Sequence, residues 1–155
     1  GLRVEHEGCR GSRLEAVLCY RSAYAGDVAF LERVPPDHGP RHLAGDSVLK
    51  ALAAVFTHEI RDIDLVARVG GEEFMFVLSE TDGEGAMRVA ERIRRSVEGH
   101  AITLQDGTKL RITASLGVAC YPQTAGNIEA LMANADWAMY AAKKGGRNRT
   151  VLYSG

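Results

Sequence analysis

Two glycines followed by two glutamates lie near the middle of this chain, in residues 69–74, which read VGGEEF. Adjacent carboxylates can bind a divalent cation. Glycines tolerate positive φ and let a bulky anion approach the backbone closely. A turn of this composition can therefore hold a metal ion against a triphosphate. The same residues also suit a solvated acidic turn, so the turn alone leaves both interpretations open.

Two β-rich runs flank this turn and predict the hairpin that would present it. Residues 65–69 precede the glycines and residues 74–78 follow the glutamates. Runs of this kind separated by glycines are a strong signal for a β-hairpin. Because successive strand residues point to opposite faces, Glu72 and Glu73 are expected to have different roles.

The motif around the turn resembles a known family signature. Residues 61–74, RDIDLVARVGGEEF, are similar to the signature of GGDEF domains, the bacterial diguanylate cyclases, in its GGEEF form. Residues 42–46 resemble the family's His-x-x-Gly-Asp, and residues 143–148 resemble its Lys-x-x-x-Arg-Asn. These motifs follow the family's order and approximate spacing from about His42 to the end of the chain.

This resemblance implies an activity and its cofactor. In the family each domain binds one GTP, two domains face each other as a homodimer, and each 3′-hydroxyl attacks the other nucleotide's α-phosphate. The product is cyclic di-GMP, and pyrophosphate is released. By resemblance Glu72 and Glu73 are catalytic, and Glu72 is a ligand of Mg²⁺ or Mn²⁺, which would neutralise developing phosphate charge.

The resemblance also implies residues that bind GTP. Gly70 and Gly71 belong to the turn, and Asp46 is expected to accept hydrogen bonds from guanine N1–H and the N2 amino group. Asp46 also precedes a predicted helix, where capping alone would account for an aspartate. Lys143 and Arg147, beside two glycines at a helix end, are expected to bind the terminal phosphate together with accessible backbone N–H groups.

Residues 20–41 depart from the family, which has there a strand ending in Asp-x-Asp-x-Phe-Lys followed by Asn-Asp. Counting back from His42 without gaps places Ala29 at the first metal-binding aspartate and Asp37 at the guanine-reading asparagine. A two-residue shift instead brings Asp27 to the metal position, at the cost of an insertion. Both registers stay open, and in either one the N-terminal half of the site is degenerate.

A second ligand site is implied by Arg61-x-x-Asp64, which resembles the family's inhibitory site for its product. In the family, arginines of the following helix complete that site, and Arg88 and Arg92 are the candidates. Guanidinium groups suit both phosphate oxygens and the Hoogsteen edge of guanine. Without the resemblance, the same arginines would be interpreted as a solvated basic helix face.

Two functions therefore remain open. The first is a diguanylate cyclase that condenses two GTP and binds its product at the inhibitory site. The alternative is a catalytically weak or inactive domain that acts as a cyclic di-GMP receptor. The intact GGEEF motif favours catalysis, and the missing Asp-x-Asp segment favours the receptor.

Composition limits the other classes of function. The chain has 155 residues, and its 19 Lys and Arg nearly balance 20 Asp and Glu, so no broad field attracts nucleic acid. Cys9, Cys19 and Cys120 contain no Cys-x-x-Cys pair, which argues against a zinc site and favours a reducing cytoplasm. No apolar run approaches the roughly 20 residues of a membrane span. A sensory or regulatory domain is expected outside this chain.

The pattern of elements predicts an α+β fold with a largely antiparallel central sheet flanked by helices. We expect a flexible arm at residues 1–12 and one GGDEF domain at residues 13–155. The expected elements are strands at 14–20, 65–69, 74–78, 102–104, 109–119 and 151–153, and helices at 27–34, at 47–60, after Thr81 or Asp82, and after Asn127. For residues 14–20 the periodicity also allows a short helix. In the last helix Ile128, Leu131, Met132, Ala135 and Met139 are expected to face the core, with Trp137 and Tyr140 as packing residues.

Overall fold

The computed structural model describes residues 14–22, 41–70, 73–103, 107 and 109–155, with the backbone alone for 14–22 and 41–46. The predicted arm at 1–12 and helix at 27–34 lie outside these residues. The elements are β1 Leu14–Ser22, α1 Arg41–Glu59, β2 Leu65–Arg68, β3 Glu73–Ser79, α2 Gly83–Gly99, β4 Ala101–Thr103, β5 Lys109–Arg111, β6 Ala114–Cys120, α3 Ile128–Lys144 and β7 Thr150–Leu152.

The main sheet has the strand order β2-β3-β1-β6-β7. β1 lies in the middle and pairs antiparallel with both β3 and β6. β2 and β3 form the predicted antiparallel hairpin, while β6 and β7 run parallel. β4 and β5 form a separate two-stranded sheet. The prediction of an α+β fold with a largely antiparallel sheet is confirmed.

The strand directions define two ends of the main sheet. At one end β1 finishes beside the beginning of β3, because Arg21 pairs with Glu73. β6 and β7 also begin there, and we call this the tip end because the GGEEF turn extends from it. At the other end Ser79 of β3 pairs with Leu14, and we call this the Ser79 end. Seven strand residues separate the two ends, a length of roughly 20 Å.

Helices cover both faces of the sheet. On one face Phe56 of α1 packs edge-on against Phe74 and Phe76 of β3, with ring centroids 5.0 and 5.1 Å apart. α2 covers the same core with an apolar stripe, in which Ala86, Ala90, Ile93 and Val97 are fully buried. On the other face Leu131 and Ala135 of α3 pack with Ala119 of β6.

Close contact between α3 and β6 depends on Gly117. A Cβ atom at this position would lie 2.1 Å from the Ala135 carbonyl oxygen and 2.2 Å from the Met139 backbone nitrogen. Any side chain would therefore push the helix away from the sheet. Because helices cover it from both sides, β6 is buried along its whole length.

Two of the predicted elements differ from the structure by more than one or two residues at a boundary. α1 begins at Arg41 rather than at residue 47, so Asp46 lies in the second turn of the helix and the capping explanation for it is wrong. An internal glycine such as Gly45 costs a helix only about 1 kcal/mol and does not end it. The predicted strand 109–119 is divided at Ile112 and Thr113, because the chain leaves one sheet there and joins another.

α3 buries a narrower face than expected. Leu131, Ala135 and Met139 are buried as predicted, but Ile128 and Met132 are 52% and 41% exposed. Trp137 and Tyr140, predicted as packing residues, are also more than half exposed. Trp137 contacts the ring of Tyr153 edge-on at 5.8 Å. The helix lies flat on β6, so only the arc that contains Leu131, Ala135, Ala138, Met139 and Ala142 meets the sheet.

Of the two residues that could precede α2, Asp82 caps the helix, and Asn127 caps α3. The Asp82 carboxylate accepts a hydrogen bond from Gly85 N at 2.7 Å, and Asn127 Oδ1 accepts one from Ala130 N at 2.8 Å. α3 ends at Gly145. Among the helices that the structure describes, none combines the length and hydropathy that crossing a membrane requires.

Candidate functional site

The GGEEF turn is closed by backbone hydrogen bonds to Glu73. Its carbonyl oxygen accepts from Val69 N at 2.9 Å and from Gly70 N at 3.3 Å. A Cβ atom at Gly70 would lie 2.6 Å from a Glu73 carboxylate oxygen, and Gly70 does not adopt positive φ. Glycine at this position therefore provides room for the glutamate rather than an unusual backbone angle. Gly71 and Glu72 lie outside the described residues.

Arg68, a residue outside the sequence motifs considered above, supports this turn from the end of β2. Its Nε donates to the Gly70 carbonyl oxygen at 3.1 Å. Beside it a groove of about 380 Å³ lies between α1 and the hairpin, and its lining includes Leu49, Lys50 and Phe74. The only local signal for Arg68 was its position immediately before the turn.

β1 ends and β7 begins at the tip end of the sheet, where the hairpin turn also lies. β1 ends at Ser22 beside the first residue of β3, so the segment that carries Asp27 leaves the sheet there. Asp27 and Asp37 themselves lie outside the described residues. β7 begins at the same end, directly after the turn that contains Arg147. Three strand spacings, roughly 14 Å, separate β3 from β7.

The turn after α3, which we call the Arg147 turn, consists of residues 145–149. Gly146, Arg147 and Asn148 all have positive φ, at 115°, 61° and 46°. The backbone N–H groups of Gly145, Gly146 and Arg147 donate to carbonyl oxygens of α3. These groups are therefore engaged, and the expectation that they are accessible to a phosphate is wrong. The Arg147 side chain is exposed, and no acidic side chain in the described part of the chain pairs with it.

A network from α2 holds the Arg147 turn. Arg94 donates to both carboxylate oxygens of Glu91, at 2.9 and 2.8 Å, and to Glu98 at 2.8 Å. Its Nη1 also donates to Asn148 Oδ1 at 2.8 Å. The Asn148 amide in turn donates to the other Glu98 oxygen at 2.7 Å. Arg94 is only 13% exposed, so this network lies largely out of solvent.

The charges in this network shift one another's titration. Hydrogen bonds from Arg94, opposed by burial and reinforced by Arg95, lower the pKa of Glu91 from 4.5 to about 2. Contacts with Arg94 and Asn148 also lower the pKa of Glu98. Both carboxylates are therefore ionised at neutral pH.

Arg61 and Asp64 form a closed pair at the Ser79 end. Arg61 Nε and Nη2 donate to the two Asp64 oxygens at 3.1 and 3.0 Å, and Nη2 donates further to Ser79 O at 2.8 Å and Thr81 Oγ1 at 2.7 Å. Asp64 also accepts from the backbone nitrogens of Arg61 and Ser79. The Asp64 side chain is 1% exposed and that of Arg61 is 50% exposed. Asp64 raises the pKa of Arg61.

The arginines predicted to complete the product site are paired as well. Arg88 contacts Glu84 one turn earlier on α2, and Arg92 Nε donates to Glu59 of α1 at 2.9 Å. Arg92 also donates to the Glu59 carbonyl oxygen, and Ser96 Oγ donates to the remaining Glu59 oxygen at 2.6 Å. A groove of about 540 Å³ runs along Arg88 and Arg92. This helix face is therefore charge-balanced rather than simply basic.

No cluster of three or more His, Cys, Asp or Glu among the described residues is arranged to hold a metal ion. The predicted ligands Glu72 and Asp27 are not among those residues. What the structure does describe is consistent with a site at the tip end, since Glu73 pairs there with Arg21, one residue before the end of β1.

Solved structures show which class of fold this is. The GGDEF domain of TpbB from Pseudomonas aeruginosa matches with a TM-score of 0.80 and 34% identity, over 91% of this chain and 83% of that one. The GGDEF domain of DgcB from Caulobacter crescentus, solved in complex with c-di-GMP, matches with a TM-score of 0.76 and 26% identity, over 91% and 78%. The fold is thus the palm fold of nucleotidyl cyclases.

Sequence comparison then identifies the family. The model described as "Diguanylate cyclase, GGDEF domain" matches residues 37–149, and this chain belongs to the GGDEF family. Diguanylate cyclase A of Treponema denticola is 40% identical over 126 residues, which cover 81% of this chain and 33% of that protein. The chain thus spans about a third of this relative's length.

Proposed function

We propose that this chain is a diguanylate cyclase domain that condenses two GTP into cyclic di-GMP and binds the product at Arg61 and Asp64. The observation that carries the proposal is the topology of the main sheet. It brings the GGEEF turn, the segment after β1 and the Arg147 turn to one end, although more than 120 residues of sequence separate Ser22 from Arg147. Membership of the GGDEF family supports the same reaction class.

In this proposal each part of GTP has a binding region. Asp46 reads guanine from α1, with Asp37 as the second candidate before the helix. The groove beside Leu49, one turn after Asp46, has the size of a small-molecule site. Gly70 and Gly71 let the phosphates approach the hairpin, and Lys143 and Arg147 neutralise the terminal phosphate.

Metal binding in the proposed site falls to Glu72 and, in the shifted register, to Asp27. Mg²⁺ or Mn²⁺ bound there would neutralise charge on the reacting phosphates. The protein's own task is to hold the two nucleotides so that the 3′-hydroxyl of one faces the α-phosphate of the other. A single domain supplies one nucleotide, so catalysis requires a homodimer.

The proposed setting is a cytoplasmic protein in which a sensory or regulatory domain controls the GGDEF domain. The curated relative is about three times as long as the aligned segment, which leaves room for such a domain in that protein.

The test is GTP turnover with Mg²⁺ or Mn²⁺, measured as cyclic di-GMP formed, at increasing protein concentrations. We expect the rate per domain to rise with concentration, because two domains must meet. A metal chelator should stop the reaction. No product at any concentration with either metal would contradict the proposal.

A second candidate, a cyclic di-GMP receptor with little or no activity, is favoured by one observation. Arg61 and Asp64 are already fixed in one geometry, whereas the sequence lacks the family's Asp-x-Asp segment. Equilibrium binding of cyclic di-GMP, run beside the turnover assay, separates the candidates. Binding without turnover supports the receptor.

A further inference from the structure

The Arg147 turn adopts a backbone that needs support. Arg147 and Asn148 have consecutive positive φ values without being glycines. Each such residue costs of order 1 kcal/mol or more and persists only where the surroundings impose it. Asparagine tolerates this conformation better than most residues, but arginine does not. Something outside the turn must therefore hold Arg147 in place.

The side-chain contacts show what holds it. Arg94 of α2 donates to the Asn148 amide oxygen at 2.8 Å, and the Asn148 amide nitrogen donates to Glu98 at 2.7 Å. Arg94 and Glu98 are 54 and 50 residues away from Asn148 in the sequence. The Arg94 guanidinium donates to four oxygen atoms of three side chains and is 13% exposed. The backbone N–H of Arg147 is fixed separately by Ala142 O at 3.1 Å.

We propose that Arg94 is a positioning residue that, through Asn148, holds the Arg147 turn in the conformation that presents Arg147 to the terminal phosphates of GTP. This inference rests on the proposed function, since it assumes that the domain binds GTP and that Arg147 meets its phosphates. It assigns Arg94 no direct contact with the nucleotide.

Arg95 provides a matched contrast on the same helix. It is the next residue, carries the same charge and also donates to Glu91, at 3.0 Å. It is 73% exposed and has no contact with Asn148 among the described residues. If Arg94 acted only through the charge of α2 or through Glu91, then Arg95 would have a comparable effect.

The test measures dissociation constants for two nucleotides by calorimetry. The first is 3′-deoxy-GTP, which lacks the attacking hydroxyl, and the second is GMP, which lacks the terminal phosphates. We expect Arg94→Met to weaken 3′-deoxy-GTP binding about tenfold, the scale of one charge-assisted contact. GMP binding should change less than about twofold, and Arg95→Met should change neither by more than that.

A second variant protects the test against misfolding. Asn148→Gly removes the amide while glycine accepts the positive φ, so the variant should fold. We expect the same selective loss for 3′-deoxy-GTP. If both variants act through one contact, Arg94→Met combined with Asn148→Gly should weaken binding no more than the stronger single change.

Arg147→Ala separates the inference from the proposed function. If Arg147→Ala weakens 3′-deoxy-GTP binding but Arg94→Met and Asn148→Gly do not, or if they weaken GMP equally, the positioning role is overturned and the proposed function stands. If the unmodified domain does not bind 3′-deoxy-GTP, or Arg147→Ala has no effect, the proposed phosphate role fails and the inference fails with it.

Discussion

Arginines at the two ends of the main sheet differ in whether a carboxylate already neutralises them. At the Ser79 end, Arg61 is paired with a buried Asp64 and makes further hydrogen bonds to Ser79 and Thr81. At the tip end, Arg147 extends into solvent with no acidic partner among the described residues. The two motifs look alike in the sequence, since each is an arginine in a polar loop.

This difference determines what a ligand must do at each end. An anion at Arg147 gains a contact and displaces only water. A dinucleotide at Arg61 must replace or add to hydrogen bonds that the protein already makes, so its net gain is smaller than its contacts suggest. The hydrogen bonds of Arg61 and Asp64 are therefore formed before a ligand binds, whereas the exposed Arg147 side chain has no acidic partner among the described residues.

The largest effect is expected from the carboxylate of the GGEEF turn. Glu72→Ala should abolish GTP condensation, because the metal ion loses a charged ligand. We expect little change in stability, as for most substitutions outside the core. Cyclic di-GMP formation and thermal unfolding measure the two effects. The control is Glu129→Gln, at an exposed position in the first turn of α3.

The same assay distinguishes the two registers of the N-terminal segment. In an active domain Asp27→Asn should remove activity as completely as Glu72→Ala if Asp27 is the second metal ligand. Full activity in Asp27→Asn would favour the register without gaps. Unchanged turnover in Glu72→Ala would contradict the metal-ligand assignment itself.

The next effect concerns the Ser79 end. Arg61→Ala should weaken cyclic di-GMP binding by about 2–4 kcal/mol, as for a lost charged contact. Asp64→Ala should weaken binding and also lower the free energy of unfolding by about 1–3 kcal/mol, because it leaves the Ser79 backbone N–H and Arg61 without their acceptor. Calorimetry and chemical denaturation measure both. Undiminished affinity in both variants would show that cyclic di-GMP binds at another site.

Asp46 tests the guanine assignment at the tip end. A cap residue changed to alanine would cost about 1 kcal/mol, but Asp46 lies inside α1, where alanine is the better helix former. Asp46→Ala should therefore weaken guanine-nucleotide binding without lowering thermal stability. A loss of stability with unchanged binding of GMP would make Asp46 a structural residue.

A smaller effect is expected at Arg92, where Glu59 and a ligand phosphate would compete for the same guanidinium group. Glu59 holds Arg92, so Glu59→Gln should free this arginine for a dinucleotide phosphate and tighten cyclic di-GMP binding about threefold, the scale of a partly exposed ion pair. Glu129→Gln is again the control. Weaker binding in Glu59→Gln would mean that the Glu59–Arg92 ion pair supports the ligand site instead of competing with the ligand.

The smallest effect is a pH dependence of stability near the tip end. The pKa of Glu91 is lowered to about 2 from 4.5, so its ionised form stabilises the folded state above about pH 4.5 and this contribution is lost as the pH falls towards 2. Arg94→Met should flatten this part of the unfolding profile, whereas Arg95→Met should flatten it less. Equal profiles for Arg94→Met and the unmodified chain would contradict the assignment.

Local patterns in the sequence were sufficient for much of the fold. The hairpin of β2 and β3, the caps Asp82 and Asn127 and the end of α3 at Gly145 all follow from neighbouring residues. Boundaries that depend on distant packing were missed. The start of α1 at Arg41 and the division between β5 and β6 depend on the surface that each segment packs against. The spacing of apolar residues in the sequence does not show which surface that is.

For the site, the sequence by itself determined the family, the residue types and their order along the chain. Only the tertiary structure decided which charges are already neutralised, because the partners are distant in sequence: Glu59 is 33 residues from Arg92, and Asn148 is 54 residues from Arg94. A single sequence carries no record of such distant contacts. The sequence shows that an arginine is charged. Whether that charge is available to a ligand depends on the residues that folding places beside it.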